Sequence, residues 1–588
     1  MAFALAAAVA APLSAQDART TLPLDALQSG GAVQLVANSA YLPAEGHEAA
    51  ATPFNGTLRL EAVEMQMEPA LESREVMGQD AMIFPGVELQ FFTHEGDLVP
   101  TTQAVITPDE DMSNGSFWQI IIQPGRVWSE EGDNGWSRAS FPFALMNRLE
   151  TDTHNGVASF AYKDGAVTDV RFQITQQTAP FYIPTHFQAW GALEAEYTPA
   201  TPAEFDEART SYATELEDRM PTAPWSELVA ASPAGALDGF EGDTVPEFTV
   251  MHAAVKDGTL YYQPSETPQG PYPYPTEMRF GVWSVTKSVG PGVGMLRLAE
   301  KYGDWVFSLK LIDYIDIDPP HDGWEDVTFG DALNMATGLG GGTVQANPNS
   351  FSVDYSFAGA YDEWYRARSE AEKVKLLEKV GNYPWGPGHV ARYRDRDMFS
   401  LGVAMDNFLK SVEGEDANIW TMIAEEVFEP IGIHHAPMNL TFEEDGKMGQ
   451  PIMAWGWYPT LDDLAKVSGL LQAHGAHDGQ QILHEGKTRS LFSIEGALEQ
   501  GPSTELKYGA LRYKMGHHYV PFKTSDSSET MWIPFMSGWI GNRVVLAPNG
   551  MTLIRISNAW PAPDEAAAAA EDPTPMMEAA HRLVPFDK

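Results

Sequence analysis

The stretch Phe280-Gly-Val-Trp-Ser-Val-Thr-Lys-Ser-Val289 decides how the second half of this chain is interpreted. Ser284 precedes Lys287 by three residues at the predicted start of a helix, so both side chains lie on one helical face about one turn apart. A serine hydroxyl is a weak nucleophile at its own pKa, and a partly desolvated lysine amine can remove its proton. Because serine and lysine are common, the spacing taken alone also fits a chance match.

From residue 246 to residue 588, predicted strands and helices alternate around this stretch. Two hairpins frame the region: one turns at Lys256-Asp-Gly258, and the other turns at Asn549-Gly550. Thr460-Leu-Asp-Asp463 is typical of a capped helix start. This alternation predicts an α/β (α+β) domain in which an antiparallel sheet is flanked by helices.

The preceding region, residues 16–200, has the alternating pattern of strands. Asp164-Gly165 between two such runs is a strong hairpin signal, and the region predicts a β-sandwich or barrel without a catalytic cluster. Pro199 and Pro202 end this pattern. Residues 201–245 are predicted to form a helical linker.

Composition excludes several classes of function. The 588 residues include 37 basic and 81 acidic residues, for a formal net charge of −44, which repels nucleic acid and anionic membranes. The chain has no cysteine, and so no disulfide or thiolate metal site. Two doubled histidines, His434-His435 and His517-His518, favour surface or packing roles because adjacent residues point apart. No metal or organic cofactor is expected.

The amino terminus carries a short apolar run at residues 2–13, followed by small and polar residues. This pattern predicts a signal peptide over residues 1–15 and hence a periplasmic or secreted protein, with a disordered Ala-rich tail as the alternative. No later segment has the length and hydropathy of a membrane helix.

Four further stretches accompany the opening motif, in a set order along the chain: Phe329-Gly-Asp-Ala-Leu-Asn-Met-Ala-Thr-Gly-Leu339, Pro387-Gly-His-Val-Ala-Arg-Tyr-Arg-Asp395, Val427-Phe-Glu-Pro-Ile-Gly-Ile433 and Trp455-Gly-Trp-Tyr-Pro-Thr-Leu-Asp-Asp-Leu-Ala465. Together with Ser-x-x-Lys, this order resembles the serine β-lactamase and penicillin-recognising superfamily. The similarity is greatest to its class C-like members, which include esterases, D-aminopeptidases and 6-aminohexanoate-oligomer hydrolases. It covers about residues 246–583.

The resemblance implies a role for each motif residue. Ser284 would be the acylated nucleophile, Lys287 the base, and Tyr393 the proton carrier for the leaving group and for water. Met536-Ser537-Gly538 would be the third family element, on an inner strand. The backbone N–H groups of Ser284 and Trp539 would then form the oxyanion hole.

Two residues depart from the family pattern. Met536 stands where relatives carry Lys or His, which argues against β-lactams because the cation that holds their carboxylate is missing. Asp395 replaces the usual Asn, and a carboxylate near Lys287 would favour the ammonium form and leave more of the proton transfer to Tyr393. A damaged, inactive site is the other explanation.

The sequence therefore predicts a serine hydrolase that acts on a small ester or amide through an acyl-enzyme at Ser284. The predicted substrate contacts are Asp395, Met536, Ser537, Gly538, Trp455 and Trp457, the two tryptophans because their spacing fits alternate residues of a strand. Two alternatives stay open: a D-amino peptidase or oligoamide amidase, and a catalytically silent, penicillin-binding-like binding protein. The sequence leaves the oligomeric state open.

Overall fold

The computed structural model describes residues 21–28, 33–244, 246–319, 321–340, 360–443, 448–500, 505–506, 508–524, 529–559 and 569–586. Within these ranges the chain forms two large sheets, one before residue 200 and one after residue 221. The predicted signal peptide, residues 1–15, lies outside the described residues.

The first sheet is antiparallel throughout and curls back on itself. Its two ends come together at Gln188–Leu193 and Ala195–Pro199, two strands that are consecutive in the chain. The first of them pairs with Val170–Gln177, and the second pairs with Gly56–Leu60. This arrangement is the barrel option of the predicted sandwich or barrel. Its twelve strands are Gly56–Leu60, Gln66–Glu68, Val87–His94, Asp97–Pro100, Gln119–Ile122, Gly125–Ser129, Ser137–Met146, His154–Lys163, Ala166–Val167, Val170–Gln177, Gln188–Leu193 and Ala195–Pro199.

The strand His154–Lys163 of this barrel has both faces buried. On His154–Lys163, Ala158 and Phe160 belong to the barrel core, whereas Val157 and Ala161 belong to the main core of the second half of the chain. Successive side chains of a strand point to opposite faces, so this alternation packs the barrel directly against the second half.

The second sheet has nine strands in the order Thr222–Pro224, Thr259–Gln263, Thr249–Lys256, Thr552–Ser557, Asn542–Leu546, Met531–Gly538, His517–Phe522, Arg512–Lys514 and Leu498–Glu499. Every pairing is antiparallel except that of Thr222–Pro224 with Thr259–Gln263. The first strand comes from the predicted linker, which therefore adds an edge to this sheet. Four two-stranded sheets complete the strands: Val63–Glu64 with Ile83–Phe84, Glu75–Val76 with Gln79–Asp80, Ala476–His477 with Gln480–Gln481, and Glu505–Leu506 with Gly509–Ala510.

Helices cover both faces of the second sheet. Val544 and Ile554 face the main core, whereas Val545 and Leu553 on the same two strands face a smaller core under the terminal helix. The helices of the described residues are Leu24–Gln28, Glu110–Ser113, Asp206–Asp218, Trp225–Ala231, Val285–Lys287, Val293–Tyr302, Phe329–Leu333, Ala360–Arg366, Glu370–Leu377, Asp395–Glu413, Ile419–Ile423, Leu461–Gln472, Glu485–Ser490 and Thr574–Leu583. An antiparallel sheet flanked by helices confirms the predicted α+β class.

The longest of these helices, Asp395–Glu413, belongs to the main core, and among the described residues none has the length and hydropathy to cross a membrane.

Candidate active site

Ser284 lies at the N-cap position of a long helical segment. The first turn, Val285–Lys287, continues through a π-helical turn at Ser288–Gly292 into the helix Val293–Tyr302. The π turn contains Pro291, whose missing N–H cannot complete an ordinary helical ladder. Trp283, just before the serine, has a φ of 49°, a region that a bulky residue rarely adopts. Such strain often marks residues that hold a functional group in place.

Lys287 places its amine directly against the serine. Its Nζ donates to Ser284 Oγ at 2.5 Å and to the carbonyl of Ala454 at 2.8 Å, and it lies 2.6 Å from Oδ1 of Asp395. The lysine is 1% exposed. The spacing of the opening motif therefore brings its two polar side chains into contact, and Asp395 joins them from the start of another helix, Asp395–Glu413.

Tyr393 completes the cluster from the loop before that helix. It is half-buried, with its ring centroid 5.0 Å from Nζ of Lys287. Lys287 and Ser284 both act to lower the pKa of its phenol. The segment 329–339 braces this loop, because the carbonyl of Met335 accepts from the N–H of Arg392 at 2.8 Å. Two of the motifs noted in the sequence thus meet beside the serine.

The charges of the cluster favour the protonated lysine. Burial by itself would lower the pKa of Lys287, but the Asp395 carboxylate and the Tyr393 phenol outweigh it, and the net pKa is raised. Burial raises the pKa of Tyr393; the Lys287 ammonium opposes this rise and the Asp395 carboxylate adds to it. The resting state is therefore an ammonium, a phenol and a carboxylate.

The strand Met531–Gly538 lies against the residues that precede the serine. A Cβ on Gly538 would lie 2.1 Å from the carbonyl oxygen of Val282, so the two backbones approach as closely as a glycine allows. Trp539 follows, with its ring centroid 6.3 Å from that of Trp283. Ile540, the next residue, has a φ of 47°. Strained residues therefore flank both backbone N–H groups that the sequence assigns to an oxyanion hole.

Three predicted substrate contacts are buried instead. Met536 is 0% exposed and belongs to the main core, while Ser537 beside it is partly exposed. Trp455 lies in a turn and stacks on Tyr365, with ring centroids 4.4 Å apart. Trp457 is 0% exposed and stacks on Phe428. Met536, Trp455 and Trp457 all belong to the main hydrophobic core, and their role as substrate contacts stays a prediction.

The structure adds two neighbours to the cluster that the sequence did not place there. The hydroxyl of Tyr361 donates to Oδ2 of Asp395, and the ring of His518 lies 5.5 Å from the ring of Tyr393. Burial holds the pKa of His518 well below its usual range, so this ring stays neutral. His518 packs in the core rather than at the surface. Neither contact follows from a local pattern, because both partners are distant in sequence.

Comparison with known proteins gives no match to a family model or to a curated sequence. Several solved structures are similar. A Bacillus anthracis protein assigned as a 6-aminohexanoate-dimer hydrolase is 16% identical with a TM-score of 0.42, over 66% of this chain and 100% of that one. A penicillin-binding protein homologue from Caulobacter crescentus is 16% identical with a TM-score of 0.37, over 63% of this chain and 97% of that one. A family VIII carboxylesterase is 16% identical with a TM-score of 0.38, over 62% of this chain and 99% of that one.

What the site can do is decided by its own residues.

Proposed function

We propose that this protein is a serine hydrolase that forms an acyl-enzyme at Ser284 on a small, uncharged ester or amide. The observation that carries the proposal is the 2.5 Å contact between Lys287 Nζ and Ser284 Oγ, with the ring of Tyr393 centred 5.0 Å from the same Nζ. A nucleophile, an adjacent amine and a second proton carrier are the groups that acyl transfer requires.

The protonation states of Lys287 and Tyr393 define the reactive form of the site. With Lys287 held as an ammonium by Asp395, the group that accepts the serine proton is the Tyr393 phenolate, stabilised by the ammonium 5.0 Å from its ring. Ser284 Oγ bonds to the acyl carbon while its proton passes to Tyr393. The backbone N–H groups of Ser284 and Trp539 receive the negative carbonyl oxygen.

The second half of the reaction reverses these transfers. Collapse of the tetrahedral intermediate breaks the bond to the leaving group, which takes the proton from Tyr393. Water then attacks the acyl carbon and gives its proton to Tyr393. Release of the acid returns that proton to Ser284, so that atoms and charge balance over the cycle.

The ion pair between Lys287 and Asp395 is also the observation that favours the alternative of a catalytically silent binding protein. A lysine held in its charged form is a poor base. Labelling of the serine separates the two functions, because a binding protein needs a cleft but not a nucleophile.

The test is covalent labelling by a fluorophosphonate, read by intact mass. We expect one adduct on the native protein, none on Ser284→Ala, and a full adduct on Ser411→Ala, which removes an exposed serine at the end of the helix Asp395–Glu413. Absence of an adduct on the native protein would overturn the hydrolase proposal.

A further inference from the structure

A loop of the barrel reaches the segment that carries Ser284. The loop joins the strands Val170–Gln177 and Gln188–Leu193. Its Ala179 carbonyl accepts from the indole N–H of Trp283 at 2.8 Å. Its Thr178 hydroxyl oxygen lies 2.6 Å from the position that a Cβ on Gly281 would take. The first half of the chain therefore borders the candidate active site.

Two aromatic side chains stand at the tip of this loop. Phe181 is 47% exposed, and its ring packs edge-on against Trp539, with centroids 6.2 Å apart. The ring centroid of Tyr182 lies 5.4 Å from that of Phe181 and 6.0 Å from that of Tyr365. We name Phe181, Tyr182, Tyr365 and Trp539 the aromatic rim. It begins beside the proposed oxyanion N–H of Trp539.

The buried carboxyl group of Glu150 fixes the loop in this position. Glu150 is 0% exposed, and its side chain accepts from the backbone N–H of Phe181 at 2.7 Å and from that of Tyr182 at 3.1 Å. Burial and the nearby Asp152 raise the pKa of Glu150 well above its usual range. A buried carboxyl group is costly unless its hydrogen bonds are made, so these bonds resist displacement of the loop. The exposed ring of Phe181 is therefore held out of the core by a rigid support.

The charge around the rim selects its ligand. The guanidinium of Arg366 lies 4.8 Å from the centroid of the Tyr182 ring, and its Nε bonds to the Asp362 carboxylate at 2.9 Å. The Arg366 guanidinium on this aromatic face disfavours a cationic ligand by repulsion. Because the guanidinium is already paired with Asp362, it attracts an anionic ligand only weakly. An uncharged aromatic ring meets neither penalty, and its edge-on or offset contact with Phe181 is favourable.

We propose that the aromatic rim is a specificity subsite that binds an aromatic ring carried by an uncharged ester or amide, and that Phe181 from the barrel is its main specificity-determining residue. This inference rests on the proposed function, since it assigns a substrate class to the same serine. It also gives the barrel a role in catalysis, as one wall of the site.

Two fluorophosphonate probes test the subsite, one with a 2-phenylethyl group and one with a smaller, non-aromatic n-butyl group. Their second-order labelling constants at Ser284 are measured by intact mass on the native protein and on Phe181→Ala. We expect the native protein to prefer the phenylethyl probe, and Phe181→Ala to lose about fivefold to tenfold of that preference with little change toward the butyl probe.

Trp305→Ala is the matched control. Trp305 is 52% exposed and follows the helix Val293–Tyr302, about 25 Å along the helical segment from Ser284. It should leave both constants unchanged. Equal slowing of the two probes by Phe181→Ala, or an unchanged preference, would overturn the subsite while leaving the hydrolase proposal intact. Failure of both probes on the native protein would instead overturn the proposed function.

Discussion

The Nζ of Lys287 lies 2.6 Å from Oδ1 of Asp395, and both side chains are buried. A site with an asparagine amide in place of the Asp395 carboxylate would behave differently, because the carboxylate raises the pKa of both Lys287 and Tyr393. It sets the protonation state from which the reaction must start.

Replacing Asp395 by Asn should move the pH profile of labelling to lower pH. The reactive phenolate of Tyr393 forms as the pH rises, so kcat/KM or the fluorophosphonate labelling rate should increase toward alkaline pH in the native protein. Without the carboxylate, the pKa values of Lys287 and Tyr393 both fall, and the rising limb shifts with them. The profile is measured between pH 6 and 10.

The Asn side chain keeps an acceptor for the Tyr361 hydroxyl, so the variant should fold. Asp416→Asn, which removes an exposed carboxylate, is the control for a change of one charge. A profile of Asp395→Asn that coincides with the native one would contradict the assigned roles.

Substituting Gly538 by Ala should damage the oxyanion strand. The new Cβ would lie 2.1 Å from the Val282 carbonyl oxygen, so the strand must move away from the serine. A displacement of this size should cost roughly a hundredfold in rate and about 1–3 kcal/mol in stability. Labelling kinetics and thermal melting measure the two effects.

Gly469 provides the matched glycine. It lies in the helix Leu461–Gln472 with open space around its Cβ position, so Gly469→Ala should raise stability by about 0.5–1 kcal/mol and leave labelling unchanged. Full activity of Gly538→Ala would show that this close approach is unimportant.

Much of the fold of the second half could be predicted because its signals are local. The helix after Ser284, the cap at Thr460 and the closing hairpin all follow from residues within a few positions of one another. The order of the motifs then predicted that Tyr393 lies near Lys287, although the two residues are 106 positions apart in the sequence.

The direction of side chains could not be predicted in the same way. Trp455 and Met536 lie beside motif residues, and a local pattern gives the face that a residue shares but not whether a helix covers that face. The approach of Thr178 to Gly281 is a contact between two regions with separate patterns. No periodicity within either region indicates this contact, so the sequence did not predict that the barrel borders the site.

Removing Arg279 should destabilise the contact between the barrel and the second half. Arg279 is 3% exposed at its side chain; it pairs with Asp463 at 2.7 Å and donates to Gln123 of the barrel at 3.1 Å. Arg279→Met would leave Asp463 buried without its cation, at a cost of about 3–5 kcal/mol. Calorimetric melting should show a clearly lower Tm.

Arg59→Met is the comparison for this variant, because Arg59 pairs with Glu61 at the surface of the barrel and its side chain is 45% exposed. Its effect should stay within about 0.5 kcal/mol. Equal melting temperatures for Arg279→Met and the native protein would show that the buried pair contributes nothing to stability.

Lys373 should make the stability of the protein fall as the pH is lowered toward neutrality. Its Nζ donates to the carbonyls of Trp364 and Tyr365 at 2.9 and 3.1 Å, and burial lowers the pKa of this lysine to about 7. In the unfolded chain the lysine keeps its ordinary pKa near 10.4. Between these two values the unfolded state binds the extra proton, so stability declines as the pH falls through this window and levels off below pH 7.

Lys373→Met removes this titration while filling a similar volume. Relative to the native protein, the variant should gain in Tm as the pH is lowered from 9.5 to 6.5, although it loses two hydrogen bonds at both pH values. Lys379→Met, which removes an exposed lysine paired with Glu363, should change the Tm little at either pH. If the difference in Tm between Lys373→Met and the native protein is the same at pH 9.5 and 6.5, the buried lysine does not titrate in the folded state as its surroundings require.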